Sequence, residues 1–245
     1  MFATGYRYCF ISVALFGALA SACTSGEADH QEATAPAPVV MLMHRPQKLT
    51  AEQRVELGFP DEFIMSVEKA ARGTAEPFYE TILMPCDNLK GDVIPVKDRL
   101  VGFSVRTTAA DRVIADLVKP LRSKGYLVFR SEHNYGKVPD VVTVIKGTSQ
   151  YDILTVQKTE GVSYRTDTKK IIKWLRTEHR AHPFDITGAG ANWVEARFTR
   201  TPRDLEAFSR RIYAFAPDVV NQGARSRPKL IEEMKKRNGF YLWWD

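Results

Sequence analysis

The chain has 245 residues, 35 of them Lys or Arg against 29 Asp or Glu, for a formal charge of +6, and 44% of its residues are apolar. That apolar share at this length builds a hydrophobic core unaided, and three cysteines exclude a disulfide-framed scaffold. The basic groups at Lys169-Lys170 and Lys235-Lys236-Arg237 fall on expected helices, where such groups are solvated faces. No nucleic-acid partner is expected, because that role wants basic patches with interleaved aromatics and access to the cytoplasm, and the expected export removes the second condition.

That signal consists of Arg7 in a polar start, an apolar run over 9–20 and small residues up to Cys23. The run is about a dozen residues, short of the roughly 20 that span a bilayer as a helix, so cleavage is expected. Leu19-Ala20-Ser21-Ala22-Cys23 resembles the lipobox of bacterial lipoproteins, with Ala20 a departure from its usual pattern. The resemblance implies a signal peptide over residues 1–22, lipidation of Cys23 and a place in the cell envelope, anchored to the membrane and facing the periplasm. Thr24 lacks the Asp that retains lipoproteins at the inner membrane, which points to the outer one. Ordinary secretion and an uncleaved anchor are the alternatives. Cys86, left alone after processing, is expected to be an ordinary thiol rather than a nucleophile.

Residues 23–48, rich in Ala, Thr, Glu and Pro, are expected as a flexible tether. Residues 49–150 then form an N-terminal α/β part of the globular region, and 151–245 a C-terminal domain. Thr50-Ala51-Glu52-Gln53 has the form of a capping box, and a second helix is expected from Pro60-Asp61 to Arg72, stopped by Gly73. Residues 81–84, 100–106, 126–130 and 141–146 are β-branched and aromatic runs expected as strands. An amphipathic helix carrying Val113, Ile114, Leu117, Val118 and Leu121, with Pro120 a source of a kink, separates the second strand from the third. This strand, helix, strand order suggests a crossover unit, with 141–146 extending the sheet. Residues 151–157 are open between helix and strand. A helix after Asp167 is followed by strands over 184–187 and 193–199, expected to be joined by a turn at Gly188-Ala189-Gly190. Helices are expected after Asp204 and from Pro228, and a strand over 240–244 closes the chain. The irregular alternation gives an α+β fold, a mixed sheet with helices packed against it.

Asn192-Trp193-Val194-Glu195, Tyr213-Ala214-Phe215-Ala216-Pro217-Asp218-Val219-Val220, Gln222-Gly223 and the terminal Leu242-Trp243-Trp244-Asp245 carry a further resemblance. From about residue 151 to the end the chain resembles a bacterial family named for its domain of unknown function, 4253, and Leu57-Gly58-Phe59-Pro60 is similar to a motif upstream in longer members. Members often carry Cys where this chain has Ala216, so a role for that thiol has no counterpart here. The family implies no activity.

The candidate binding or catalytic residues are Trp193, Glu195, Asp218, Gln222, Trp243 and Asp245. Neighbouring tryptophans on a strand point to opposite faces, so one of Trp243 and Trp244 belongs in the core. Trp193, Glu195 and Arg197 share a face that is either wet or lines a cleft, and a Glu–Arg pair is the simplest role for it. Asp218 and Gln222 sit near a helix end, where capping and a turn are expected. The five histidines show no zinc-site spacing, and His182 is expected as a positively charged helix-terminal group. No metal, no cofactor, no hydrolase elbow and no phosphate loop are expected. Two functions follow: a non-enzymatic envelope protein that binds a protein or peptide partner in an accessory or immunity-like role, or a hydrolase-like enzyme using Glu195 and Asp218. In the second, Gln222 and Asp245 orient substrate; in a purely structural reading the terminal tryptophans are the last core strand.

Overall fold

The structure, a computed structural model, describes residues 7–8, 47–85 and 92–245, with side chains over 47–80 and 99–245. The expected signal sequence apart from Arg7 and Tyr8, the lipidation site Cys23, nearly all of the tether, and Cys86 lie outside the described residues.

The helices start where short polar side chains satisfy free amides. α1 (Ala51–Leu57) opens with the expected capping box, Thr50 accepting from the Gln53 N–H and Gln53 reaching back to Thr50. α2 (Asp61–Ala71) ends at Arg72 in the left-handed region, one residue before the expected stop. α3 (Ala110–Arg122) contains Pro120 only in its last turn. The open segment becomes a short helix, α4 (Asp152–Gln157), followed by a 3-10 turn at Val162–Tyr164. Asp167 caps α5 (Thr168–Ala181), Asp204 caps α6 (Leu205–Phe215) and Ser226 caps α7 (Arg227–Arg237). Between α6 and α7 the chain makes a π-helical turn at Val219–Ala224, where the sequence suggested only a helix end and a Gln-Gly turn.

The strands are β1 (Arg7–Tyr8), β2 (Ala75–Pro85), β3 (Asp92–Thr107), β4 (Tyr126–Glu132), β5 (Asp140–Lys146), β6 (Phe184–Gly190), β7 (Trp193–Phe198) and β8 (Gly239–Trp243). They form one mixed sheet whose main path is β2-β3-β5-β4-β6-β7-β8, with β1 beside the start of β3. The expected crossover exists in altered form. β3 and β4 run the same way with α3 between them in sequence, but β5 turns back and inserts between them, antiparallel to both. The β4–β6 neighbours are parallel and paired at one position, Arg130 with Gly188; every other junction on the main path is antiparallel.

The turn expected at Gly188-Ala189-Gly190 is part of β6 instead, and Ala191-Asn192 makes the reversal. Its glycines have a different cause. Across the hairpin the Trp193 indole lies on β6, and a Cβ at Gly188 would stand 2.9 Å from Trp193 Cζ3, while one at Gly190 would collide with the pyrrole side of the same ring.

Two cores lie on opposite faces. α1, α2 and α3 bury Leu57, Ile64, Val67, Val113 and Ile114 against Phe103, Val105, Val128, Val142 and Val144 of β3, β4 and β5. On the other face α4 to α7 pack on Phe129, Phe184, Val194, Phe198, Phe240 and Leu242. Trp244 is 1% exposed in that second core with its indole N–H donated to the Phe215 carbonyl, while Trp243 is half-buried, the alternation expected of neighbouring tryptophans.

Candidate functional site

The side chains that β6, β7 and β8 turn toward the α3 side include Asp185, Trp193, Glu195, Arg197, Tyr241 and Trp243, and α3 itself packs on β4 and β5. Register explains what gathers there. Arg130, Gly188, Glu195 and Tyr241 occupy one row across β4, β6, β7 and β8. Because Gly188 has no side chain, the Arg130 guanidinium passes over β6 and reaches Glu195, with Nη1 2.5 Å from Oε2.

Arg130 is the hub. It is 3% exposed, donates from Nη2 to Asp111 Oδ1 at 2.8 Å, and has Nε 3.0 Å from Asp140 Oδ2. That last approach is off the N–H direction, so the Nε proton has no hydrogen-bond acceptor among the described residues and the pairing with Asp140 is Coulombic. Arg197 adds contacts of 3.2 Å to Glu195 Oε1 and to Asp111 Oδ1, and donates its other terminal nitrogen to the Arg237 carbonyl. Two guanidiniums and three carboxylates thus tie α3, β4, β5 and β7 together. Burial pulls the Arg130 pKa down, but Glu195, Asp111 and Asp140 outweigh it and hold the guanidinium more firmly protonated. For Asp111, too, burial opposes ionisation and the Arg130 bond overrides it, lowering the carboxyl below its ordinary range. His133 is pushed toward neutrality, first by burial and then by Arg130, against the pull of Asp140 and Glu195.

Beside this network a cleft of about 430 Å³ opens between α3 and the sheet, walled by Ile114 and Val118 and floored by Arg130, Thr187 and Glu195. Thr187 is the extra residue of a bulge in β6, and its buried Oγ1 has no hydrogen-bond partner among the described residues. Further along the same face the Trp193 and Tyr241 rings stack, 5.8 Å apart and 15° from parallel. The loop between β4 and β5 folds over them: His133 stacks on Tyr135, whose hydroxyl is 3.4 Å from that of Tyr241. Burial pushes the Tyr241 phenol far up, and the Tyr135 contact adds to it.

The six candidate residues therefore divide. Trp193, Glu195 and Trp243 belong to this face, with Trp193 and Trp243 directly paired. Asp218, Gln222 and Asp245 gather where the chain ends. Asp218 does not cap the π-helical turn; its Oδ1 accepts from the Tyr164 hydroxyl at 2.6 Å and its Oδ2 from the Asp245 N–H at 2.9 Å. Burial opposes ionisation of Asp218, yet the bonds from Tyr164, Asp245 and Gln222 prevail and hold its carboxyl low. The cleft lined by Glu195 does not include Asp218. His182 ends α5 as expected, but its Nε2 lies 2.8 Å from Arg211 Nη2, and burial followed by that cation lowers its pKa, against the charge expected of it.

Arg130, Asp111, Asp140, Thr187 and Tyr241 were not among the candidates. One signal was available for Arg130: period-two alternation puts it on the side of buried Val128, where an arginine requires partners. Those partners come from α3, β5 and β7, at separations no local pattern reports.

Comparison with curated proteins and with solved structures finds no match. Residues 141–245, from β5 through the π-helical turn to the terminal Asp245, match the family described as Domain of unknown function (DUF4253).

Proposed function

We propose that this is an exported envelope lipoprotein, tethered through Cys23 and held at the outer membrane, whose domain binds a protein or peptide partner and performs no catalysis. The observation that carries the reading is how the candidate carboxylates are used. Both oxygens of Glu195 are engaged by Arg130 and Arg197, and both of Asp218 by Tyr164 and the Asp245 backbone. The two carboxylates share no cleft, since the one lined by Glu195 does not include Asp218, and each is committed to partners within the fold. The β4–β5 loop offers a partner apolar surface: Tyr135, 68% exposed, lines a groove with the half-buried Tyr241 and Trp243, and Val138 of the same loop is 44% exposed.

The test is photo-crosslinking in intact cells with p-benzoylphenylalanine in place of Tyr135 and, as a control, in place of Val55, which is 82% exposed on α1. A discrete adduct from position 135 and none from 55 is expected; equal or absent labelling at both positions refutes the reading. Replacing Cys23 by Ala should abolish fatty-acid labelling and release the protein from membranes, and continued labelling of that variant would refute the anchor.

A further inference from the structure

β8 closes the sheet, and its ladder with β7 leaves half of its backbone without a partner. The Phe198 N–H donates to the Asn238 carbonyl and the Trp244 N–H to the Asn192 carbonyl, which fixes the phase of the ladder. Counting by twos, Phe240 and Leu242 exchange hydrogen bonds with β7, while Gly239, Tyr241 and Trp243 turn their N–H and C=O groups to the outside. Among the described residues none bonds these outward groups. Sheet edges are ordinarily blunted by charge, proline or a bulge. β8 reads Gly-Phe-Tyr-Leu-Trp and has no such device.

A groove of about 300 Å³ follows this edge. Because it lies at the edge, it is walled from both faces of the sheet: Leu230 and Met234 of α7 on one side, Tyr135 of the β4–β5 loop on the other. Its charged lining residues are Glu233 and Arg237 of α7, and Arg237 lies at the Gly239 end, next to Lys235 and Lys236 in the last turn of the helix.

We infer that β8 is a docking edge for an extended polypeptide strand, apolar in the residues that point to Leu230 and Met234 and acidic at the end that meets the last turn of α7. This inference rests on the partner-binding reading and names its mode. Backbone hydrogen bonds to Gly239, Tyr241 and Trp243 supply the attachment, the alternating side chains enter the two walls, and the basic turn fixes direction. A short peptide or a strand of a larger protein satisfies these demands equally.

The test is fluorescence polarisation of the full chain with two dye-labelled peptides, Asp-Val-Thr-Ile-Thr-Val and Lys-Val-Thr-Ile-Thr-Val. Two variants accompany it. Tyr241→Pro deletes an outward N–H without touching the ladder to β7, as proline is tolerated on edges. Tyr241→Val removes the ring and keeps the N–H. The Asp peptide should bind at least about tenfold more tightly than the Lys peptide, and Tyr241→Pro should weaken binding about tenfold further than Tyr241→Val does. Equal binding of the two peptides, equal behaviour of the two variants, or no binding by the parent chain overturns the inference. So does a dimer of the parent chain in sedimentation that Tyr241→Pro dissolves, since the edge would then serve a second copy. Should the peptides fail while position 135 still crosslinks in cells, strand addition falls alone; should both fail, partner binding falls with it.

Discussion

Arg130→Met is the sharpest probe of the network that organises the α3-side face. The guanidinium is 3% exposed and is the nearest cation to Glu195, itself 3% exposed. After the substitution Glu195 keeps only Arg197, a third exposed and 3.2 Å away, while Asp111 and Asp140 lose a partner but have access to water. Stranding a buried carboxylate in this way costs about 3 to 5 kcal/mol. That is a large share of the roughly 5 to 15 kcal/mol that holds a domain folded, so the urea midpoint should fall steeply at pH 7 with the slope of the transition unchanged. The double variant Arg130→Met with Glu195→Leu removes charge from both sides and should recover to within about 2 kcal/mol of the parent, since buried ion pairs and apolar pairs of similar volume are close in free energy. If the double variant is as unstable as the sum of the single ones, the two residues are uncoupled and the hub is not what holds this face together.

Three further outcomes follow from the geometry. Gly188→Ala places a methyl 2.9 Å from the Trp193 ring and 3.2 Å from the Arg130 carbonyl, and should cost about 1 to 3 kcal/mol in denaturation with a shift in tryptophan emission. Trp244→Ala should cost about 3 to 5 kcal/mol and Trp243→Ala less than about 2 kcal/mol, because the first lies in the core and the second is half-buried. Acid should unfold the parent partly through Asp218. Its folded pKa is lowered, so its contribution is complete above the ordinary aspartate value near about 4 and is lost as pH falls through the folded value; Asp218→Asn should flatten stability against pH below about 4.

Local signals carried well where the cause was local. The Thr50 and Gln53 box, the Asp167 and Asp204 caps, and the opposite fates of Trp243 and Trp244 all depend on a few neighbouring residues, and all were readable. Gly188-Ala189-Gly190 misled because three small residues are the usual mark of a turn, whereas here the two glycines make room for the Trp193 ring of the next strand, and Gly188 also for the Arg130 carbonyl of β4. β5 between β3 and β4 was unreadable for a similar reason: its apolar pattern announces a strand buried on both faces but not its place in the order. Within the site, the shared face of Trp193, Glu195 and Arg197 came from alternation along one strand. The separation of Asp218 from Glu195 depended on where a π-helical turn set the chain end down.

The position of Arg130 links these observations. The sheet is two antiparallel blocks, β2-β3-β5-β4 and β6-β7-β8, joined by a single paired position, Arg130 with Gly188. On one face the second core runs across the joint, from Leu127, Phe129 and Ile145 to Phe184 and Ile186, whereas on the α3 side the first core stops at β4. A backbone junction that short is a weak place in a sheet. An arginine at the paired position, bonded forward to β7 and back to α3 and β5, adds a side-chain bridge where the ladder is thinnest. The same offset of the two cores leaves the α3-side face of β6 to β8 without a helix of its own and ends the sheet on β8 with its outward groups unbonded among the described residues. The ion network and the open edge are thus two consequences of one arrangement: the first bridges the seam between the blocks, and the second is where the later block ends.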